Sequence, residues 1–241
     1  MDAPDLASDS MAIVINGTFD PIRITPHWLR QMDLIALEDY ESQEIEVISR
    51  GVAIVKYGSI QLRVASDKLQ VATDEIVDIE AARDLATGIL LSKGAAAIAS
   101  MGINRAVHFE AAIEKCHAIG DLLAPKKYWS DLVDLPGMAD LTIKAVRKDG
   151  YGGNINVQVQ PSVIVRPGVY VSINDHYNLT LSEAPTDRNV VADPEEADPQ
   201  ISSEKISVAV KILTEKFAAS RNLSQSLINR VASLGDSTEG Q

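Results

Sequence analysis

Apolar and polar positions along the 241-residue chain change period several times, and each change marks a new element. Met11 to Phe19 (MAIVINGTF) is a nearly unbroken β-branched and apolar run, which predicts a strand. Thr25 before Pro26 predicts a helix start: a threonine hydroxyl accepts an orphan amide proton, and proline suits the first helical position. Trp28, Met32, Ile35 and Ala36 then recur at helical spacing and predict one buried face.

From Ile45 to Glu75 the period drops to two. Ile45 and Val47 flank Glu46, Ile60, Leu62 and Val64 alternate with Gln61 and Arg63, and Leu69 and Val71 continue the pattern. This predicts antiparallel strands with one buried and one wet face, turning at 57–59 and 66–68. Helical spacing returns at Ile79, Ala82, Leu85, Ala86, Ile89 and Leu90, with Lys93 in the last turn and Gly94 as the stop. Ala97 to Phe109 predicts a strand bent near Gly102, Glu110 to Leu123 a helix, and Lys127 to Leu135 a short third one.

A second alternating block follows. Leu141, Ile143 and Ala145 form one strand and Ile155, Val157 and Val159 another, joined by a glycine-rich connection over 148–153. Val169, Val171 and Ile173 predict a third strand, and Tyr177 to Leu181 a fourth. Ile206, Val210, Leu213 and Phe217 predict an amphipathic closing helix that continues to Leu234 past a kink near Asn222.

Strands in clusters with hairpin-length connections make the fold class α+β: antiparallel strands in two blocks, helices packed on one face, and a closing C-terminal helix. The predicted boundaries are a flexible tail over 1–10 and a body over 11–182. The halves of that body, 11–109 and 110–182, echo one another in layout without matching residue for residue. An acidic flexible loop over 183–203, the closing helix over 204–234 and a tail over 235–241 complete the chain. The loop is assigned because Glu183 to Gln200 holds six acids against one arginine and three of the ten prolines.

Charge narrows the function. The chain has 34 acidic and 22 basic residues and a net charge of −12, a field that repels nucleic-acid phosphates and anionic lipid. No apolar run approaches the roughly 18 residues of a membrane span. The first basic residue is Arg23, so a secretory leader is not expected and a cytoplasmic location is. A single cysteine, Cys116, cannot form an intrachain disulfide.

Gly17 to Ile22 (GTFDPI) resembles the opening of the nucleotidyltransferase signature, in which a His-x-Gly-His string follows. Here Arg23, Ile24, Thr25 and Pro26 stand at those places, and His27 falls one residue late. His27, His108, His117 and His176 are scattered, and no metal, cofactor or catalytic residue is assigned. The candidate binding residues are Lys126, Lys127, Tyr128 and Trp129, two cations beside two aromatics, joined by Lys144, Arg147 and Lys148 into a local basic patch. The competing reading is a helix start whose Trp129 packs into the core.

The order of elements resembles that of an uncharacterised, sporadically distributed bacterial family found in mobile genomic regions. The similar segments are 98–104 after a helix, 168–174, and the closing helix from Ile206. The resemblance implies a bacterial accessory protein and brings no catalytic residues with it. The expectation is a non-enzymatic protein-binding or assembly component, whose partner is another protein or a second copy. The alternatives are a nucleotidyltransferase-like enzyme using GTFDPI and a phage-derived structural subunit.

Overall fold

The computed structural model describes residues 4–179 and 199–238. The first half runs β1 (Leu6–Phe19), α1 (Pro26–Gln31), α2 (Leu37–Ser42), β2 (Glu44–Ile48), β3 (Val52–Tyr57), β4 (Ile60–Ala65), β5 (Lys68–Thr73) and α3 (Ile79–Leu91). The second runs β6 (Ala95–Glu110), α4 (Ile113–Leu123), β7 (Leu141–Val146), β8 (Gly153–Pro161), β9 (Gly168–Tyr177), α5 (Pro199–Glu215) and α6 (Phe217–Ser233). All the strands among the described residues join one antiparallel sheet in the order β2-β3-β4-β5-β1-β6-β9-β8-β7. The fold is α+β, as the clustered alternation predicts.

The two longest strands, β1 and β6, lie at the centre and pair from Leu6 opposite Phe109 to Phe19 opposite Ala95. Reading outward, β1-β5-β4-β3 and β6-β9-β8-β7 repeat one plan. Met11, Ile13 and Phe19 take the places in β1 that Met101, Ile103 and Phe109 take in β6, and Ile13 faces Ile103 at the centre.

Burial follows the period of two. Met11, Ile13 and Ile15 of β1 and Met101, Ile103 and Val107 of β6 point to the helix-covered face. One core gathers these strands with Leu29, Ile35, α3 and α5; a second gathers β6, β8 and β9 with Ile119 of α4 and Ile228 of α6. The opposite face is polar where β6, β9 and β8 cross it, with Asn104, Asn174 and Asn156 side by side.

Several boundaries differ from the sequence expectation. β1 starts at Leu6, inside the stretch read as a tail, because Asp9 is needed there. Its carboxylate accepts from Arg105 Nε (2.9 Å) and Nη2 (2.7 Å), and Arg105 is buried. A buried guanidinium without such a partner is costly, so the acid that looked solvent-bound orders the strand. The helix expected through Ala36 stops at Gln31: Asp33 takes a left-handed φ of 52°, and Ile35 reaches the core from a turn. Glu110 belongs to β6, not α4, and the third helix shrinks to one 3-10 turn over Lys126–Tyr128. The predicted strand at Tyr177 is the end of β9, and its continuation from 180 lies outside the described residues. The closing helix starts at Pro199 and breaks at Lys216 rather than near Asn222. The acidic loop lies outside the described residues up to 198.

Replacing Asp9 by alanine leaves Arg105 buried without its anion and should lower the unfolding free energy by about 3 kcal/mol. Urea denaturation measures this. An Asp9→Ala, Arg105→Met double variant should recover most of the loss, because no buried charge then remains.

Candidate functional site

Tyr128, Trp129, Leu132, Val133 and Leu135 are all exposed within eight residues of sequence at one end of the second half. α4, the 3-10 turn, the loop 129–140 and the turn 162–167 enclose a cleft of about 840 Å3, lined by Ile113, His117, Val133, Met138, Val163 and Arg166 among others. Its surroundings are apolar and open: Trp129 is 57% exposed, Leu135 98%, and Leu132, Val163 and Ile164 are also exposed. Each large apolar side chain left in water forgoes about 1.5–3 kcal/mol of burial.

The loop is held rather than loose. Val133 and Leu132 amides donate to the Trp129 carbonyl (3.0 and 2.9 Å), Ser130 Oγ donates to the Lys126 carbonyl (2.9 Å), and Met138 packs on the second core. Leu135 has a left-handed φ of 49°, a conformation that costs a leucine roughly 1–2 kcal/mol. An exposed leucine in a strained conformation contributes nothing to folding that explains its presence.

Beside this cleft, His108 and Ser162 are buried, with Nδ1 and Oγ 2.8 Å apart. The pair resembles a base and a nucleophile, but the serine oxygen is occupied. The Ile164 and Val165 amides donate to it at 3.2 and 3.1 Å, which leaves its own proton for His108 Nδ1. Burial lowers the His108 pKa and favours the neutral ring. The arrangement latches the 162–167 turn to β6. Cys116 donates to the Ala111 carbonyl at 3.6 Å, and burial pushes its thiol pKa up, away from the reactive thiolate. Among the described residues, no group of three or more His, Cys, Asp or Glu side chains is placed to hold a metal ion.

The seven candidate binding residues divide. Tyr128 and Trp129 are exposed on the 3-10 turn and its end, contrary to the core-packed reading of Trp129. Lys126 pairs with Asp121 at 2.9 Å, and Lys127 Nζ stands 5.0 Å from the Tyr128 ring centre. Lys144 is exposed on β7 and Lys148 on the following turn. Arg147 leaves the patch altogether. Its side chain is 8% exposed, ion-paired to Asp149 and Asp175, and 3.7 Å above the Tyr177 ring. Burial alone would raise the Asp149 carboxyl, but the hydrogen bond and charge of Arg147 hold it below the usual range. Leu132, Leu135, Val163 and Ile164 were not singled out from the sequence. Their signal was apolar residues beside Pro136, Gly137 and Pro167, where turns are expected.

The GTFDPI segment is consumed by local geometry. Asp20 Oδ1 accepts from the Ile22 amide (3.1 Å), and Thr25 Oγ1 accepts from the Trp28 amide (3.3 Å) to cap α1. Gly17 lets β1 approach β6, since a Cβ there would stand 2.2 Å from the Ala97 carbonyl oxygen. β1 pairs antiparallel on both sides, unlike the alternating strand–helix order that the signature opens.

No protein-family model matches the chain, and no curated protein is similar to it. No helix among the described residues is long and apolar enough to cross a membrane.

Two outcomes follow from this geometry. Leu135→Asn places a residue that tolerates left-handed backbone at an exposed site, and should raise the melting temperature by about 2–4 °C. The pH dependence involves His108. Its folded pKa lies below the ordinary 6.5, so the unfolded chain takes up that proton first. The stability it confers is complete above about pH 6.5 and declines as pH falls from there towards the lower folded value. Urea midpoints at about pH 7 and 5 should diverge less in His108→Gln than in the native sequence.

Proposed function

We propose that the chain is a non-enzymatic protein-docking component, and that the apolar ledge around the 840 Å3 cleft is its contact surface. One observation carries this reading: Trp129, Leu132 and Leu135 are exposed within seven residues on a hydrogen-bonded turn, and Val163 and Ile164 are exposed on the turn 162–167 that also borders the cleft. Clustered apolar exposure of this kind marks interaction surfaces, and tryptophan is among the residues most enriched as their energetic anchors. Lys127, exposed beside Tyr128, supplies a polar rim at this end, and the net charge of −12 disfavours a phosphate-binding field. The resemblance to an accessory family of bacterial mobile regions fits a cytoplasmic component of a larger assembly.

A photo-reactive amino acid at position 132, introduced in the source cell, should give discrete cross-linked products. The same group at Val77, exposed on the first half, should give none. Equal labelling at both positions, or no product at 132, sinks the reading.

A further inference from the structure

Resting on that docking reading, we propose that β7 pairs with β7 of a second copy of this chain, antiparallel and about a twofold axis through Thr142. The sheet ends at β2 and at β7, and the two edges are built differently. β2 carries Glu44 and Glu46 and breaks register between Ile45 and Val47, two devices that keep an edge from pairing further. β7 has neither. Its register with β8 runs unbroken from Leu141 opposite Val159 to Val146 opposite Asn154, it holds no proline, and its one charge is Lys144. Ile143 is 51% exposed and Val146 78%.

The charges beside this edge are self-complementary. Asp140, Thr142 and Lys144 fall two residues apart and share the polar face of the sheet. Gln158 Nε2 and Thr142 Oγ1 donate to the Asp140 carboxylate and hold it there. Lys144 makes no ion pair among the described residues. Antiparallel pairing centred on Thr142 sets Asp140 opposite the copy's Lys144, and Lys144 opposite the copy's Asp140. On the other face Leu141 meets the copy's Ile143. Centring on Ile143 leaves each lysine opposite a threonine, and centring on Lys144 sets two lysines together. Only the Thr142 register satisfies both charges.

The wider field selects the same end of the molecule. Residues 1–110 hold 17 acids against 9 bases, whereas residues 111–179 hold 7 of each. Two copies therefore repel less across residues 111–179, which include β7 and its flanking loop, than across residues 1–110. The loop bearing the exposed Trp129, Leu132 and Leu135 runs directly into Asp140 at the start of this edge. With β2 blunted, each copy offers one such edge, and association closes at a dimer.

Sedimentation of the full chain from about 1 to 100 µM tests this. The native sequence should dimerise within that range. Lys144→Asp and Asp140→Lys alone should each weaken the dimer at least about tenfold, because both opposed pairs become like-charged. Both residues are exposed, so folding is spared. The double variant should regain the native affinity. An equimolar mixture of the two single variants should form heterodimers, since each supplies the charge the other lost. A monomer at about 100 µM, a dimer indifferent to charge reversal, or no rescue overturns the proposal. A monomer that still cross-links another protein through position 132 rejects the dimer and keeps the docking reading.

Discussion

The pairing of β1 with β6 is the constraint on which the rest depends. Each half is a meander that ends on one long strand, and neither meander closes its own core. α5 follows β9 in sequence yet packs on β6 and α3, bringing Ala209, Ile212 and Leu213 into the first-half core. That placement exists only when β6 lies against β1. The seam tolerates a charge because the two strands bring its partner: Arg105 from β6 meets Asp9 from β1. A buried ion pair of this kind adds little net stability over an apolar pair, but it penalises every register in which the two groups miss. It therefore specifies alignment more than it adds strength.

The two halves share a plan and differ in how they finish it. In the first, β2 covers the outer edge of β3, and α1 with the following turn carries Leu29 and Ile35 into the core. In the second, the chain between α4 and β7 forms no strand. It turns outward and carries its apolar residues to the surface. The inner corners differ as well. Tyr57 and Val71 occupy the places in β3 and β5 that Arg147 and Asp175 occupy beside β7 and in β9. Burying Arg147 demands carboxylates, and Asp149 and Asp175 supply them while Tyr177 stacks beneath. The guanidinium expected to reach a ligand is thereby spent inside the protein.

Alternation made the sheet legible. A period of two in Ile60 to Val71 and in Leu141 to Val159 has one structural meaning once hairpin-length turns separate the runs. Pairing order was not legible, because no local pattern states that β1 lies beside β6. The repeat stayed hidden for the same reason. Met11, Ile13 and Phe19 match Met101, Ile103 and Phe109, but the outer strands of the halves share polarity rather than identity. Single polar residues misled most. Asp9 among serines and alanine looked solvated, and Arg147 beside Lys148 looked like surface, because a charged residue shows burial only through its partner. Tryptophan's usual burial misled in the other direction, since Trp129 is one of the exposed exceptions.

These differences put unlike duties on the two halves. The first concentrates negative charge and a blunted edge, both of which keep neighbouring molecules apart. The second is electrically balanced over residues 111–179, ends on a regular edge, and holds leucine and tryptophan in water on hydrogen-bonded turns. A fold built by repeating one unit has no internal reason to leave one copy less covered than the other. The uncovered copy has given up burial energy that the covered one keeps. Under the docking reading proposed above, contacts made outside the chain would offset that loss, and the charge field favours them where it is weakest.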